Sequence, residues 1–153
     1  MAIIMPYKSA APKIDKSAFL APTAVVAGDV TIEEGVSVWF GAVVRGDFQP
    51  IKIGKNTNIQ ENATIHVMHD HPTTVGEGVI IGHNAVIHSK SIGDHTLIGM
   101  GSIIMGKEDM LRAYQMMPQA RIVGIHMDTV NHAALTRKEL REFVQEKGIE
   151  KQV

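Results

Sequence analysis

Apolar residues recur at intervals of six through about two-thirds of the chain. The interval repeats without a break at first and then resumes in groups of three after steps of nine, ten and five residues. The fifteen anchors are Ile14, Leu20, Val26, Ile32, Val38, Val44, Ile53, Ile59, Ile65, Val75, Ile81, Ile87, Ile92, Ile98 and Ile104. An interval of six predicts very short strands with a corner after each, whereas sandwiches space their strands by about 8–12 residues.

Three short edges of this kind form one triangular coil of about 18 residues. Grouped in threes, the anchors predict five coils, at 14–31, 32–52, 53–74, 75–91 and 92–106. A coil cannot bury its apolar edges alone, so the coils must stack, about 4.8 Å apart. The uneven steps predict loops at 45–52, 66–74 and 88–91. The fold class indicated is mainly β, a parallel β-solenoid; a sandwich would hold fifteen anchors in phase only by chance.

The composition narrows the classes of function. The chain has 153 residues, a formal net charge of −1 and no cysteine. A broad basic surface for nucleic acid or anionic membrane is therefore not expected. Any zinc site would need histidine or carboxylate ligands. The opening MAIIMPYKSA is too quickly polar for a signal peptide, and no apolar run approaches the ~18 residues of a membrane span. We expect a cytoplasmic protein.

Three histidines hold definite places in the six-residue register. His66 and His88 each directly follow the third anchor of successive coils, so their side chains should stack one strand spacing apart. Arg45 holds the same position one coil earlier, which predicts a column of these three side chains. His83 lies two places past the second anchor of its coil, at a different corner, above Glu61.

This arrangement favours a metal site over scattered surface histidines. Three neutral imidazoles with an open fourth position suit a catalytic zinc. One triangular prism does not easily bring two corners to one metal, whereas a neighbouring prism can. The spacing therefore predicts that His83 meets His66 and His88 across a subunit interface, most simply around a threefold axis.

The same residues resemble the γ-class carbonic anhydrases, a family of left-handed hexapeptide β-helices. The segments that carry the resemblance, within about residues 10–104, are VWFGAVVRGD, IGKNTNIQE, ATIHV, IGHNAVIH and IGDHTLIGMGS. The resemblance implies a left-handed parallel β-helix of about five coils and a homotrimer with three metal sites at its interfaces. It also implies a lyase, a carbonate dehydratase that hydrates CO₂ reversibly to bicarbonate.

By this resemblance the metal ligands are His66 and His88 of one subunit and His83 of the next. The metal expected is Zn, although members of the family also bind Fe or Co. A bound metal lowers the pKa of its water towards ~7, and the resulting metal-bound hydroxide would attack CO₂.

Four further residues receive roles from the resemblance. Arg45 and Asp47 are similar to a pair that links subunits and borders the site. Asn58 and Gln60 are similar to polar residues near the metal-bound solvent, and Gln60 would hydrogen-bond that solvent. All four are candidate catalytic residues.

The cluster His69, Asp70 and His71 follows His66 closely in the sequence. Histidine titrates near neutrality, so these side chains could carry the proton released by hydration to the solvent. A solvated polar turn is the other interpretation of the same residues.

Two other functions fit a hexapeptide scaffold, because a fold does not settle a function. One is an acyltransferase or thioesterase. Such enzymes generally rely on one catalytic histidine and a cofactor groove, and they do not require three histidines at one point. The other is a non-catalytic trimeric scaffold in which a metal joins the subunits.

The six-residue rhythm stops after Ile104, so the solenoid is predicted to occupy residues 1–106 and a helix–strand–helix tail residues 107–153. The tail is predicted as a helix at 107–117, a strand at 120–127 and a last helix that starts at a Thr136–Glu139 capping box and ends at Gly148. The tail resembles the closing segment of metallo-β-lactamase-fold hydrolases. The HxHxDH ligand motif of that fold is absent, so hydrolase activity is not expected.

Overall fold

A computed structural model describes residues 1–105, 115 and 137–148 of the chain. The chain divides into two compact units, Met1–Ile104 and Met105–Val153. The first unit consists of short strands that pair in parallel. They are β1 (Ile3–Met5), β2 (Lys13–Ile14), β3 (Phe19–Leu20), β4 (Val25–Ile32), β5 (Ser37–Val38), β6 (Val43–Ile53), β7 (Asn58–Ile59), β8 (Thr64–His66), β9 (Thr73–Val75), β10 (Ile80–Ile81), β11 (Val86–His88), β12 (Ser91–Ile92), β13 (Leu97–Ile98) and β14 (Ile103–Met105).

These strands form the three faces of a solenoid. Face one contains β2, the ends of β4 and β6, and then β9 and β12. Face two is a separate five-stranded sheet in the order β3-β5-β7-β10-β13. Face three runs β1-β4-β6-β8-β11-β14. The five strands of face two correspond to the five predicted coils. Faces one and three join into one nine-stranded sheet because β4 and β6 pass through both of them.

The predicted anchors fill the interior of the solenoid. Twelve of the fifteen are buried, and the other three, Ile14, Leu20 and Ile104, lie in the first and last coils and pack partly exposed against the core. Anchors of successive coils pair in register, as Val44↔Ile65 shows. Each coil therefore covers the apolar edges of its neighbours, which is the condition for a stable repeat.

The loop predicted at 45–52 was wrong in its bounds, because β6 continues through these residues. β6 pairs with β4 at Gly28↔Gly46 and again at Val30↔Ile51, so the four residues 47–50 form a bulge opposite a single residue of β4. Gly28 has φ +81°, and a Cβ there would lie 2.2 Å from the carbonyl oxygen of Gly46. Glycine is therefore required where the bulge begins.

Strand β1 was not predicted, since it precedes the first anchor. Ile3 and Met5 pair in parallel with Val25 and Ala27 of β4 and extend face three by one strand. All three residues of β1 are exposed, so the strand shows no inward-facing apolar position. Its pairing relies on the backbone, and this explains why apolar periodicity did not reveal it.

The second unit contains helix α1 (Arg137–Lys147). Its buried residues, at helical spacing, are Leu140, Phe143 and Val144. Glu139 lies in the first turn, where a carboxylate is favourable, and Gly148 follows the helix with φ +66°. The predicted last helix and its end at Gly148 are thus confirmed, whereas Thr136 of the predicted capping box lies outside the described residues. The helix at 107–117, apart from residue 115, and the strand at 120–127 lie outside the described residues. No helix in the described part of the chain is long and apolar enough to cross a membrane.

Candidate metal centre

His66 and His88 stack on the outside of face three. Arg45 of β6 pairs with His66 of β8, and β8 pairs in parallel with β11, which ends at His88. The two imidazole rings are 5.3 Å apart between centroids and inclined by 34°. The predicted column of Arg45, His66 and His88 is therefore present. It follows directly from the parallel register, which places residues of the same coil position one above the other.

The bulge of β6 brings Asp47 to this column. Nε2 of His66 lies 2.8 Å from Oδ1 of Asp47, and Nη1 of Arg45 lies 3.3 Å from Oδ2. Partial burial disfavours the charged form of Asp47. This effect of burial is outweighed by the hydrogen bond with His66, by a backbone hydrogen bond and by the nearby Arg45 guanidinium. Together these contacts hold the pKa of Asp47 below its usual value. Asp47 is thus a carboxylate that accepts the N–H of His66.

Phe48, the next residue of the bulge, covers one side of the column. Its ring stacks on His69 at 4.8 Å and 19°, and it lies 6.1 Å from the ring of His66. The Nε2 of Gln49 also donates to the carbonyl of His69 at 3.3 Å. The bulge therefore holds the first residue of the histidine-rich turn close to His66. Sequence reasoning missed Phe48, and its only signal was its place directly after Asp47.

His83 lies at the corner between faces two and three, where it is paired with Glu61 of the preceding coil. Nδ1 of His83 is 2.7 Å from Oε2 of Glu61, and both side chains are about half exposed. The backbone supports this stacking, since the N–H of Asn84 donates to the carbonyl of Glu61 at 3.0 Å. The sequence placed Glu61 beside His83 but did not predict this 2.7 Å contact.

Asn58 and Gln60 flank the buried Ile59 of β7, on the face that leads to the His83 corner. Nδ2 of Asn58 donates to Oγ of Ser37, one coil earlier, at 2.8 Å. This contact fixes the amide and leaves its carbonyl oxygen as an acceptor. Both residues are partly exposed and belong with His83, not with the His66–His88 column.

The candidate residues thus fall into two halves. The first half, on face three, is Arg45, Asp47, His66 and His88, and the second half, on face two and its corner, is Asn58, Gln60 and His83. Within the described residues of one chain, no three histidine or carboxylate side chains are grouped closely enough to hold a metal. Each half supplies imidazole nitrogens of the kind that zinc binds, but neither half supplies three.

Comparisons with known proteins support the resemblance found in the sequence. The chain is 46% identical over 101 residues to gamma carbonic anhydrase 1, mitochondrial, of Arabidopsis thaliana, a match that covers 62% of this chain and 37% of that protein. It is 42% identical over 108 residues to the carbonic anhydrase of Geobacillus kaustophilus, covering 71% of this chain and 59% of that one. The resemblance to γ-class carbonic anhydrases is confirmed.

The chain spans between about a third and three-fifths of the length of these relatives. No family model matches it. A hexapeptide transferase family protein from Anaplasma phagocytophilum has a similar structure, with a TM-score of 0.58 at 24% identity over 98% of this chain and 93% of that one. This likeness concerns the fold alone. It confirms the predicted class, a mainly β left-handed parallel β-helix of about five coils with a C-terminal helix.

Proposed function

We propose that the protein is a zinc-dependent carbonic anhydrase that hydrates CO₂ reversibly to bicarbonate, in the cytoplasm, as a homotrimer with the metal between subunits. The observation that carries the proposal is the division of the three histidines into two halves of one chain that do not meet. Identity of 42–46% to proteins named carbonic anhydrase supports the reaction.

A second copy of the chain can supply what each half lacks. His83 and His88 are five residues apart in the chain and lie on either side of a corner. At about 3.3 Å per residue of extended chain, their backbones can be up to ~16 Å apart. A closed ring of three prisms sets the corner of one copy against face three of the next and completes three equivalent sites. Arg45 and Asp47 then border each site from the face-three side.

The surroundings of the His83 corner fit burial by another copy. Phe40 and Met100 take the same corner position one coil before Glu61 and one coil after His83, as the backbone hydrogen bonds between coils show. Phe40 is 46% exposed and Met100 74%. Phe and Met are enriched at protein–protein interfaces relative to the rest of the surface, so these two exposed side chains favour burial by a partner.

The donor set fits a metal such as Zn, with Fe and Co as alternatives. His66 and His88 already stack at 5.3 Å, and His83 has its Nδ1 engaged by Glu61, which leaves Nε2 as its second ring nitrogen. His66 engages Nε2 with Asp47, so it would bind a metal through Nδ1 or after the carboxylate turns to Arg45. When bound, the metal supplies a water that is acidic enough to act as a nucleophile near neutral pH.

Residues of the second half would orient the reactants. The amide of Gln60 can both donate and accept, so it can hold the attacking water towards CO₂. Asn58, fixed by Ser37, would present its carbonyl oxygen beside Gln60. Neither residue is needed to hold the metal. Their loss should therefore lower turnover and leave the metal in place.

Histidines of the turn that follows His66, next to the first half, would accept the released proton. Phe48 holds His69 beside His66, and His69 is exposed to solvent. His71 lies two residues further along the same turn, with its Nε2 3.5 Å from Oδ2 of Asp70. An imidazole can accept a proton and release it again, so an exposed histidine beside His66 is suited to pass a proton to buffer.

Metal analysis and a CO₂ hydration assay on the same preparation test the proposal. We expect about one zinc per chain and hydration above the buffer rate, both lost in His66→Ala and His83→Ala. Bound zinc without hydration would reject the carbonic anhydrase and leave the metal-joined scaffold. No bound metal, together with hydrolysis of an acyl-thioester, would favour the thioesterase or acyltransferase.

A further inference from the structure

The bond between His83 and Glu61 selects one form of the imidazole. A carboxylate can only accept hydrogen bonds, so the Nδ1 of His83, 2.7 Å from Oε2 of Glu61, must carry the hydrogen. A neutral ring then has its lone pair at Nε2. The partner of one ring nitrogen decides the protonation of the other, so Glu61 controls which nitrogen of His83 can bind a cation.

The backbone at this corner holds the two residues in register. Asn62 and Asn84, which directly follow them, have the same left-handed conformation, with φ values of 59° and 58°. The tight turns are also the same, since the N–H groups of Ala63 and Ala85 donate three residues back at 3.2 and 3.1 Å. The two corners therefore have matching shapes, and the side chain of Glu61 is presented to His83 without a change in the chain.

We propose that Glu61 is a positioning residue, which keeps His83 protonated at Nδ1 and so presents Nε2 to the metal shared with the neighbouring subunit. This inference rests on the proposed metal centre. Histidine ligands in proteins generally donate their other ring N–H to a carboxylate or carbonyl, which fixes the ring and makes it a stronger ligand. Asp47 contacts His66, so each half of the centre has its own carboxylate.

The first test measures the His83 ring directly. Nitrogen-15 spectra of the metal-free protein, at a pH where the ring is neutral, distinguish a protonated Nδ1 from a protonated Nε2. We expect wild-type His83 to be protonated at Nδ1, and we expect Glu61→Ala to lose this preference. A wild-type ring protonated at Nε2 would overturn the proposal, whether or not the protein hydrates CO₂.

The second test measures zinc affinity by competition with a chelator. Glu61→Ala should bind zinc roughly 10- to 100-fold more weakly, the range found when such supporting groups are removed. Glu34→Ala is the matched control, because Glu34 is a surface carboxylate that pairs with Lys55 at another corner. That variant should bind zinc as the wild type does.

Glu61→Gln keeps the shape of the side chain. It therefore tests the carboxylate independently if the alanine variant has a folding defect. Its amide can turn either an oxygen or an NH₂ group to Nδ1, so it no longer selects one form of the ring. We expect mixed ring protonation and a smaller loss of zinc affinity than in Glu61→Ala. Wild-type ring protonation and affinity in Glu61→Gln would show that the carboxylate is not required.

Discussion

His66 and His83 each place a ring nitrogen within 2.8 Å of a carboxylate oxygen of the preceding coil, but the two pairs differ in surroundings. The His66–Asp47 side chains are 19% and 10% exposed, and Nε2 is the engaged nitrogen. The His83–Glu61 side chains are 42% and 37% exposed, and Nδ1 is engaged. The first pair is thus enclosed within one chain, whereas the second is open at a corner.

This difference indicates which part of the proposed centre a single chain can build. The bulge of β6 carries Asp47, and Phe48 with it, over the His66 column, so the chain covers its own first half. Among the residues that the structure describes, nothing comparable lies over His83, where exposed Phe40 and Met100 adjoin the pair. We infer that the open half requires another copy of the chain, and the following predictions test this contrast.

The largest effect is expected when mutant chains with defects in different halves are mixed. His83→Ala and His88→Ala should each lose nearly all bound zinc, because each removes a ligand from every site. In every trimer that contains both variants, one of the three sites should regain all three histidines, because one neighbouring pair has the intact ligands in the right order. Metal content per verified mixed trimer is the measurement.

The matched control mixes His66→Ala with His88→Ala. Both substitutions fall in one column, so no combination of these chains restores a site. Recovery of zinc in this control, or its absence in the first mixture, would contradict the division into halves.

The next effect concerns assembly. Met100→Glu places a charge beside the His83 corner, and it should turn the trimer into monomers, because burying such a side chain contributes about 1.5–3 kcal/mol at each of three interfaces. Light scattering gives the mass. Met100→Leu is the control and should remain trimeric. A trimeric, zinc-loaded Met100→Glu protein would place the interface elsewhere.

A smaller effect on activity is expected for Gln60, which belongs to the second half of the proposed centre but is not one of the proposed metal ligands. Gln60→Ala should keep zinc and trimer while CO₂ hydration falls about 10-fold, equivalent to ~1.4 kcal/mol of barrier. The CO₂ hydration rate should fall less in Asn58→Ala. If Gln60 only supports the corner, melting temperature will drop and the rate per bound zinc will stay unchanged.

The smallest effect concerns the enclosed pair. The pKa of Asp47 is lowered by folding, so the folded state binds fewer protons there than the unfolded state. The resulting stability is present above the ordinary aspartate pKa of about 3.9 and is lost as the pH falls through the lower folded value. Acid unfolding of metal-free Asp47→Asn should therefore depend less steeply on pH below about 4 than that of the wild type. Equal slopes would show that the hydrogen bond contributes nothing.

Apolar periodicity predicted most of the fold because each anchor faces a continuous core. Val44, Ile65 and Ile87 are fully buried and stack in register. The column positions of His66 and His88 followed from the same rule. Periodicity did not predict β1, because that strand pairs through its backbone and has no buried apolar residue. It also predicted a loop where β6 continues, because Pro50 lies in the bulge of that strand.

The site was less predictable than the fold because its contacts depend on side chains outside the repeat. Asp47 and Phe48 reach the column only because the four-residue bulge lies opposite one residue of β4. The sequence gives no rule for the direction of such a bulge. Glu61 and His83 were placed at one corner, but the choice of Nδ1 depends on the corner conformation.

The register of the coils also limits how a gene for this protein can change in length. His66 and His88 face outward together because strands β8 and β11 keep the same phase around the prism. Losing one codon inside a strand or corner would turn every later side chain of that face inward, including His88. Residues 69–72 lie between strands and outside the buried core, so they can vary in number without this consequence. Insertions and deletions that preserve the centre should therefore accumulate in that segment.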